Sequence, residues 1–307
     1  MKYINEFEKV SDFQAFMDEN GEGGDALVSY IVETQSSVLK PYVPPVPAAG
    51  DVAYWDGSKV KTTPLSSWDT SLGTAIGVVV VPEGFAPDGK IRIIGLKPVD
   101  SNGNQSSSHV GMIWGSNNKD TGLINYTKAP TTDNAGSTSS GSYSHGYLPS
   151  DNFTGATSFV DPKAKYYGNT PYTPSPYLGD SPNPEYYKTI SGNNALSDFN
   201  GLSNTETLVG LGSVYTAANA AWKYKDGLSD LQWYLPGMGE LGYIMPRFNE
   251  INATITALGG LAVASSYSFW SSSEYSSDNA YGMYTGNGLV YGNYKDSSYY
   301  VRPFASF

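Results

Sequence analysis

The chain has 307 residues, room for one large or two modest domains, and its 14% aromatic content can fill a sizeable core. Only 15% of residues are charged and the net charge is −11; this excludes the basic stripe of a nucleic-acid binder and makes an anionic membrane surface repulsive. With no cysteine, disulfides and thiolate chemistry are excluded, and with only His109 and His145, far apart in Ser/Gly-rich sequence, no histidine metal cluster is expected.

The first eight residues have no apolar run and no small-residue cleavage site, so no secretory leader is expected there. No stretch reaches the length of a membrane span. The expectation is a cytoplasmic protein, one whose leader has been removed, or one that leaves by another route such as a virion released by lysis. Residues 13–17 start a short amphipathic helix that breaks at Gly21-Glu22-Gly23-Gly24. Residues 26–32 read as a strand, and the proline-rich residues 40–47 as a stiff, polyproline-like linker. That strand is too apolar for a solvated tail. Residues 1–47 are therefore expected to be an N-terminal attachment or oligomerisation segment with its linker.

Residues 50–60 form a hairpin whose turn is Asp56-Gly57. A buried strand follows within 72–81, and a second hairpin turns at Asp88-Gly89 and returns over 91–96. Residues 48–100 thus read as a small β unit. From 101 to 200 the chain is rich in Ser, Gly, Asn, Pro and Tyr. An irregular insertion is expected over about 130–200, packed through its tyrosines. Val214, Ala217, Ala218, Ala221 and Trp222 recur at helical spacing, and that helix stops at Asp226-Gly227. Residues 231–235 read as a short strand. Pro236 opens a helix carrying Leu241, Ile244 and Met245. Pro246 kinks it, Phe248, Ile251, Ile255 and Leu258 continue its apolar face, and Gly259-Gly260 ends it. The remainder is a β-meander with strands at 269–274, 279–285, 289–294 and 299–304, the second turn being Gly286-Asn287-Gly288.

Of the 36 residues from 265 to 300, 27 are Tyr, Ser, Asn, Asp or Gly. Antibody paratopes use the same set: tyrosine brings amphipathic contact area with few rotors, and Ser, Gly and Asn bring adaptable hydrogen bonds. The bland alternative is a soluble sheet decorated with good strand formers. Eight tyrosines on short strands exceed what a small core can hide, so several are expected outside. Exposed aromatic patches mark binding sites.

Three motifs carry a resemblance. Trp233-Tyr234-Leu235-Pro236 followed by Glu240-Leu241, then Phe269-Trp270-Ser271-Ser272-Ser273-Glu274-Tyr275, then Tyr300-Val301-Arg302-Pro303-Phe304, resemble the C-terminal half of the C-type-lectin-like fold in its formylglycine-generating-enzyme form. The chain resembles most closely the variable proteins of diversity-generating retroelements, over about residues 200–307. In that family adenine-specific changes convert Asn codons to Tyr, Ser, Asp, Gly or His. The resemblance implies a diversified ligand surface made of Tyr267, Ser268, Asp278, Asn279, Tyr281, Gly282, Tyr284, Asn287, Tyr291, Asn293, Tyr294, Asp296, Ser297, Ser298 and Tyr299. It implies a fixed scaffold of Trp233, Pro236, Glu240, Trp270, Glu274, Arg302 and Pro303. The calcium signatures of sugar-binding C-type lectins are absent, and so are the cysteines that formylglycine-generating enzymes need. Neither chemistry is implied.

Enzyme readings find little support. Asp198 with Glu206, or Glu240 with Glu250, offers paired carboxylates, yet nothing in their spacing singles them out. His145 beside Ser144 has no triad context. Gly21-Glu22-Gly23-Gly24 opens no clear phosphate-binding helix, and residues 100–104 resemble a fragment of a calcium loop but lack the glycine and glutamate placement of an EF-hand, so a turn is expected there. No catalytic residue, metal or cofactor is expected. The sequence leads to an α+β protein with a C-type-lectin-like domain over 101–307, containing the insertion and a variable region at about 265–300. It is preceded by the small β unit and the attachment segment. The expected role is receptor binding at a phage tail, through a bacterial surface protein or glycan. Phage tail proteins would hold the N-terminal segment, and the assembly would be a homotrimer by analogy with tail fibres. A bacterial cell-surface or pilus-tip adhesin is the alternative. Neither nucleic-acid binding nor membrane insertion is expected.

Overall fold

The computed structural model describes residues 30–32, 39–41, 47–123, 143–147, 195, 198–286 and 289–307. The expected helix at 13–17, the glycine break at 21–24 and nearly all of the insertion lie outside the described residues. The chain divides into two compact units, Met1–Val46 and Pro47–Phe307. In the first, β1 (Tyr30–Val32) pairs antiparallel with β2 (Leu39–Pro41), Val32 facing Leu39. Lys40 and Pro41 therefore belong to a paired strand and not to the linker expected at 40–47. Pro41 sits at the strand's end, where a missing N–H costs the ladder least.

The second unit is α+β with two sheets. The five-stranded sheet holds β3 (Val52–Trp55), β4 (Val60–Thr63), β5 (Thr74–Val81), β6 (Arg92–Gly95) and β13 (Phe304–Ser306), in the order β13-β6-β5-β3-β4. Its first hairpin closes as its sequence dictates. The Asp56 carboxylate accepts from the N–H of Ser58 and Lys59, both at 2.8 Å, and Gly57 takes φ 99°. β5 is an unbroken apolar run because both of its faces are covered. Val78 and Val80 enter one core, Ile76 and Val79 the other. The unit expected at 48–100 is not self-contained: the C-terminal strand completes its sheet, Phe304 facing Ile94.

The six-stranded sheet has β7 (Gly111–Met112), β8 (Tyr143–Tyr147), β9 (Ser268–Glu274), β10 (Asn279–Tyr284), β11 (Leu289–Tyr294) and β12 (Tyr299–Tyr300), in the order β7-β12-β9-β10-β11-β8. After the meander β9-β10-β11 the chain crosses back over the sheet and lays β12 parallel to β9, Tyr300 facing Phe269. The strand expected at 299–304 is thus two strands in two sheets. Between them Pro303 has no N–H to give a ladder, and the chain changes sheet there.

Four helices are described. α1 (Gly201–Leu211) escapes a sequence reading because it buries only Gly201, Thr205 and Leu208, while Leu202 and Leu211 face solvent. α2 (Thr216–Lys223) buries Ala217, Ala218, Ala220 and Ala221. It ends before Asp226, which instead builds the next turn by accepting from Leu228 N–H and Ser229 N–H at 2.7 Å. α3 (Met238–Gly242) and α4 (Phe248–Ala257) flank a 3-10 turn, Met245–Arg247, that contains Pro246. Gly259 follows with φ 71°. The strand expected at 231–235 is reduced to one bridge, Tyr234 to Phe304. Among the described residues no helix is long and apolar enough to cross a membrane.

Candidate functional site

The seven scaffold residues named from the sequence are all buried, and most have specific partners. The indole N–H of Trp270 donates to Met112 O at 2.9 Å, and in return Trp114 donates to Ser271 O at 2.7 Å. The two tryptophans thereby tie residues 112–114 to β9. Glu274 accepts from Lys295 and from the Thr121 hydroxyl at 2.7 Å. Lys295 also donates to Lys119 O at 2.7 Å and Ser277 O at 2.9 Å, and its ammonium lies 5.0 Å from the Trp114 ring centroid. Desolvation lowers the Lys295 pKa, and Glu274 opposes that. Arg302 donates to Gly95 O and Leu261 O. Trp114, Thr121 and Lys295 were invisible in the sequence. Lys295 stands between Tyr294 and Asp296 in a polar run that reads as solvated surface.

The fifteen positions named as ligand surface divide by which covering layer lies over them, not by strand alternation. Asn279, Tyr281, Gly282, Tyr291 and Asn293 are buried, a correction to the surface expected from sequence. Tyr281 points with Met283 into the core shared with Phe269 and Val290. Gly282 faces Trp270 and Tyr291 across the other side, and a Cβ on it would come 3.0 Å from Phe269 O. That second side is covered by the crossover, which sets Tyr299 on Trp270 at 4.5 Å and against Tyr291 at 5.9 Å. A sheet with a layer on each face hides residues of both parities. Ser268, Asp278, Tyr284, Ser297 and Tyr299 are half-buried, while Tyr267, Tyr294, Asp296 and Ser298 are exposed. Asn287 lies outside the described residues.

The rings of buried Tyr291 and half-buried Tyr299 are fixed by hydrogen bonds. Ser268 donates to the Tyr291 hydroxyl, which donates to Tyr299, and burial raises the Tyr291 pKa above the usual phenol range. Tyr299 also accepts from the Asn293 amide. At the far end of the meander a loop not singled out from sequence joins the surface. Asn118 N–H donates to the Asp278 carboxylate at 2.8 Å and Lys119 N–H to Ser277 O at 3.1 Å. Asn118, Lys119 and Asp120 are exposed beside it.

A polar cleft of about 240 Å³ lies elsewhere in the unit, lined by Asp88, Lys90, Arg92, Asn200, Glu206, Tyr234 and Glu240 among others. Its buried acid is fully engaged. Glu240 accepts from Arg92 Nε at 2.6 Å, the Tyr234 hydroxyl at 3.1 Å and Gly237 N–H at 2.8 Å. Burial pushes its carboxyl up to about 7 against the pull of Arg92. Asp198 is also buried, its pKa raised by desolvation although Ser273 Oγ donates at 2.5 Å and Asn204 Nδ2 at 2.8 Å. The carboxylates paired in the sequence reading have unlike environments: Asp198 and Glu240 are interior, Glu206 and Glu250 exposed.

No family model matches the chain, and no curated protein matches it. Among solved structures, a fimbrial protein from Bacteroides ovatus aligns at 14% identity with a TM-score of 0.44, over 85% of this chain and 49% of that one. The chain thus spans about half the length of that protein. A likeness of this degree assigns neither a fold family nor a role.

Proposed function

We propose that the chain is a ligand-binding protein whose C-terminal β-meander presents a tyrosine-, serine- and aspartate-rich recognition surface on a C-type-lectin-like frame. The reading is that of a retroelement-diversified receptor-binding protein, carried at a phage tail tip by its N-terminal segment as a homotrimer and gripping a bacterial surface protein or glycan. It assigns no catalysis. One observation supports it above the rest. Within β9 to β12 the scaffold residues Trp270 and Glu274 are locked inside by specific hydrogen bonds, while Tyr267, Asp278, Tyr284, Tyr294, Asp296, Ser297, Ser298 and Tyr299 reach solvent. A frame fixed in this way lets outward side chains vary without refolding, and a preordered surface loses less entropy on binding.

The test is labelling of a panel of bacterial strains with the fluorescent full-length chain. Wild-type protein is expected to label particular strains, and the variant Tyr284→Ser/Tyr294→Ser/Asp296→Ala to lose roughly tenfold or more in affinity, since a few anchors carry most interface energy. Unchanged labelling by that variant would move the binding surface elsewhere. Loss of labelling only when the 1–46 unit is removed would make that unit the adhesive element.

A further inference from the structure

Where β9 begins and β12 ends, three rings meet. Tyr267 and Tyr300 have centroids 4.6 Å apart, and His109 packs on them at 5.3 and 5.5 Å. Tyr267 is the outermost, 41% exposed. Its backbone is held at both ends by the buried Thr285, whose N–H donates to Tyr267 O at 2.9 Å and whose hydroxyl accepts from Tyr267 N–H at 3.3 Å. The ring is therefore presented by an ordered strand end and not by a free loop.

The chain segments that converge here, 106–111, 262–268 and 297–301, contain no Asp, Glu, Lys or Arg. What these segments do expose is hydroxyls, on Ser107, Ser108, Ser265, Ser266 and Ser298. His109 adds no charge at neutral pH: burial, then the Arg302 guanidinium, hold its pKa down at about 4. Its Nε2 has no hydrogen-bond partner among the described residues, an unmet polar atom within the same ring cluster.

A ring cluster whose own chain segments carry no charge and expose serine hydroxyls offers little to a phosphate, a carboxylate or an ammonium group. It does fit a molecule with apolar C–H faces and many hydroxyls. Ring faces carry negative quadrupole density that attracts C–H groups, and each serine hydroxyl both donates and accepts. From the packed Tyr267, Tyr300 and His109 rings and the serines exposed on the same chain segments we infer that this end of the sheet is a binding site for a neutral carbohydrate. The inference rests on the ligand-binding reading above and gives that surface a ligand class.

The probes are neutral methyl pyranosides and neutral oligosaccharides, with uronic-acid and sialyl oligosaccharides as charged counterparts. Each is titrated into the full-length chain and followed by calorimetry and by the His109 ring-proton NMR signals. Saturable binding of a neutral saccharide is expected, with movement of the His109 signals. Tyr267→Ala should weaken it roughly tenfold or more, and Tyr267→Trp should retain it. Three results would overturn the inference: preference for acidic saccharides, no saturable binding of any saccharide, or Tyr267→Ala binding as tightly as wild type. Strain labelling lost in the Tyr284/Tyr294/Asp296 variant without any saccharide binding keeps the receptor-binding reading and removes this one. Saccharide binding with labelling untouched by that variant keeps this site and removes the meander surface as the receptor face.

Discussion

Replacing Tyr281 with serine separates frame from surface. The composition around Tyr281 reads as contact surface, yet it sits mid-strand in β10, fully buried among Phe269, Met283 and Val290, with its ring edge-on to Tyr275 at 5.4 Å. A buried aromatic side chain removes roughly 150–250 Å² from water. At about 25 cal/mol per Å² that transfer is worth roughly 4–6 kcal/mol. Partial collapse of the cavity reduces the net cost, and aromatic truncations in cores cost about 3–5 kcal/mol. Tyr281→Ser is expected within that range. Tyr294→Ser, exposed at the end of β11, is expected within about 0.5 kcal/mol of wild type. All six tryptophans lie in the Pro47–Phe307 unit, so their fluorescence during urea denaturation reports that unit alone. With a slope of roughly 2–3 kcal/mol per M, the Tyr281 variant should unfold about 1–2.5 M earlier. A Tyr281→Ser midpoint indistinguishable from wild type would refute the packing argument and return that ring to the surface.

Two further outcomes follow from buried polar groups. Lys295→Met leaves the Glu274 carboxylate buried without its cation and should cost roughly 3–5 kcal/mol. Adding Glu274→Gln removes the stranded charge and should recover part of that loss, whereas a double variant as unstable as the sum of both single changes would contradict the pairing. His109, held near 4 in the folded chain and near 6.5 unfolded, takes up its proton first in the unfolded state as pH falls. Stability should therefore decline between about pH 6.5 and 4, by on the order of 1 kcal/mol once solvent screening of this half-buried ring is allowed for. His109→Phe should flatten that part of a stability–pH curve, and an unaltered slope would assign the decline to other groups.

Much of the frame was legible because its signals are local. The Asp56-Gly57 turn, the doubly covered β5, the Pro246 interruption and the Gly259 stop each follow from the backbone preference of one or two residues. The boundaries of the meander strands follow from their apolar and turn residues. What stayed hidden depends on contacts distant in sequence. The crossover that places Tyr299 over Trp270 buries Gly282 and Tyr291, and no period within β10 or β11 announces a second covering layer. Composition alone treats Tyr281 and Tyr294 as equivalents, although one is interior and the other exposed. The partner of Glu274 is 21 residues away, and the strand that completes the first sheet comes from the last residues of the chain. α1 was missed because a helix that buries a glycine, a threonine and one leucine has no apolar stripe to read.

The account stands or falls on where a bound target touches the chain. Hydroxyl-radical footprinting of the protein, free and bound to a strain it labels, measures that directly. Protection is expected at Tyr284, Tyr294 and residues 296–299, with Tyr281 unreactive in both states. Protection confined to the helices at 201–257 or to the β3–β4 hairpin, with the meander equally reactive free and bound, would contradict it.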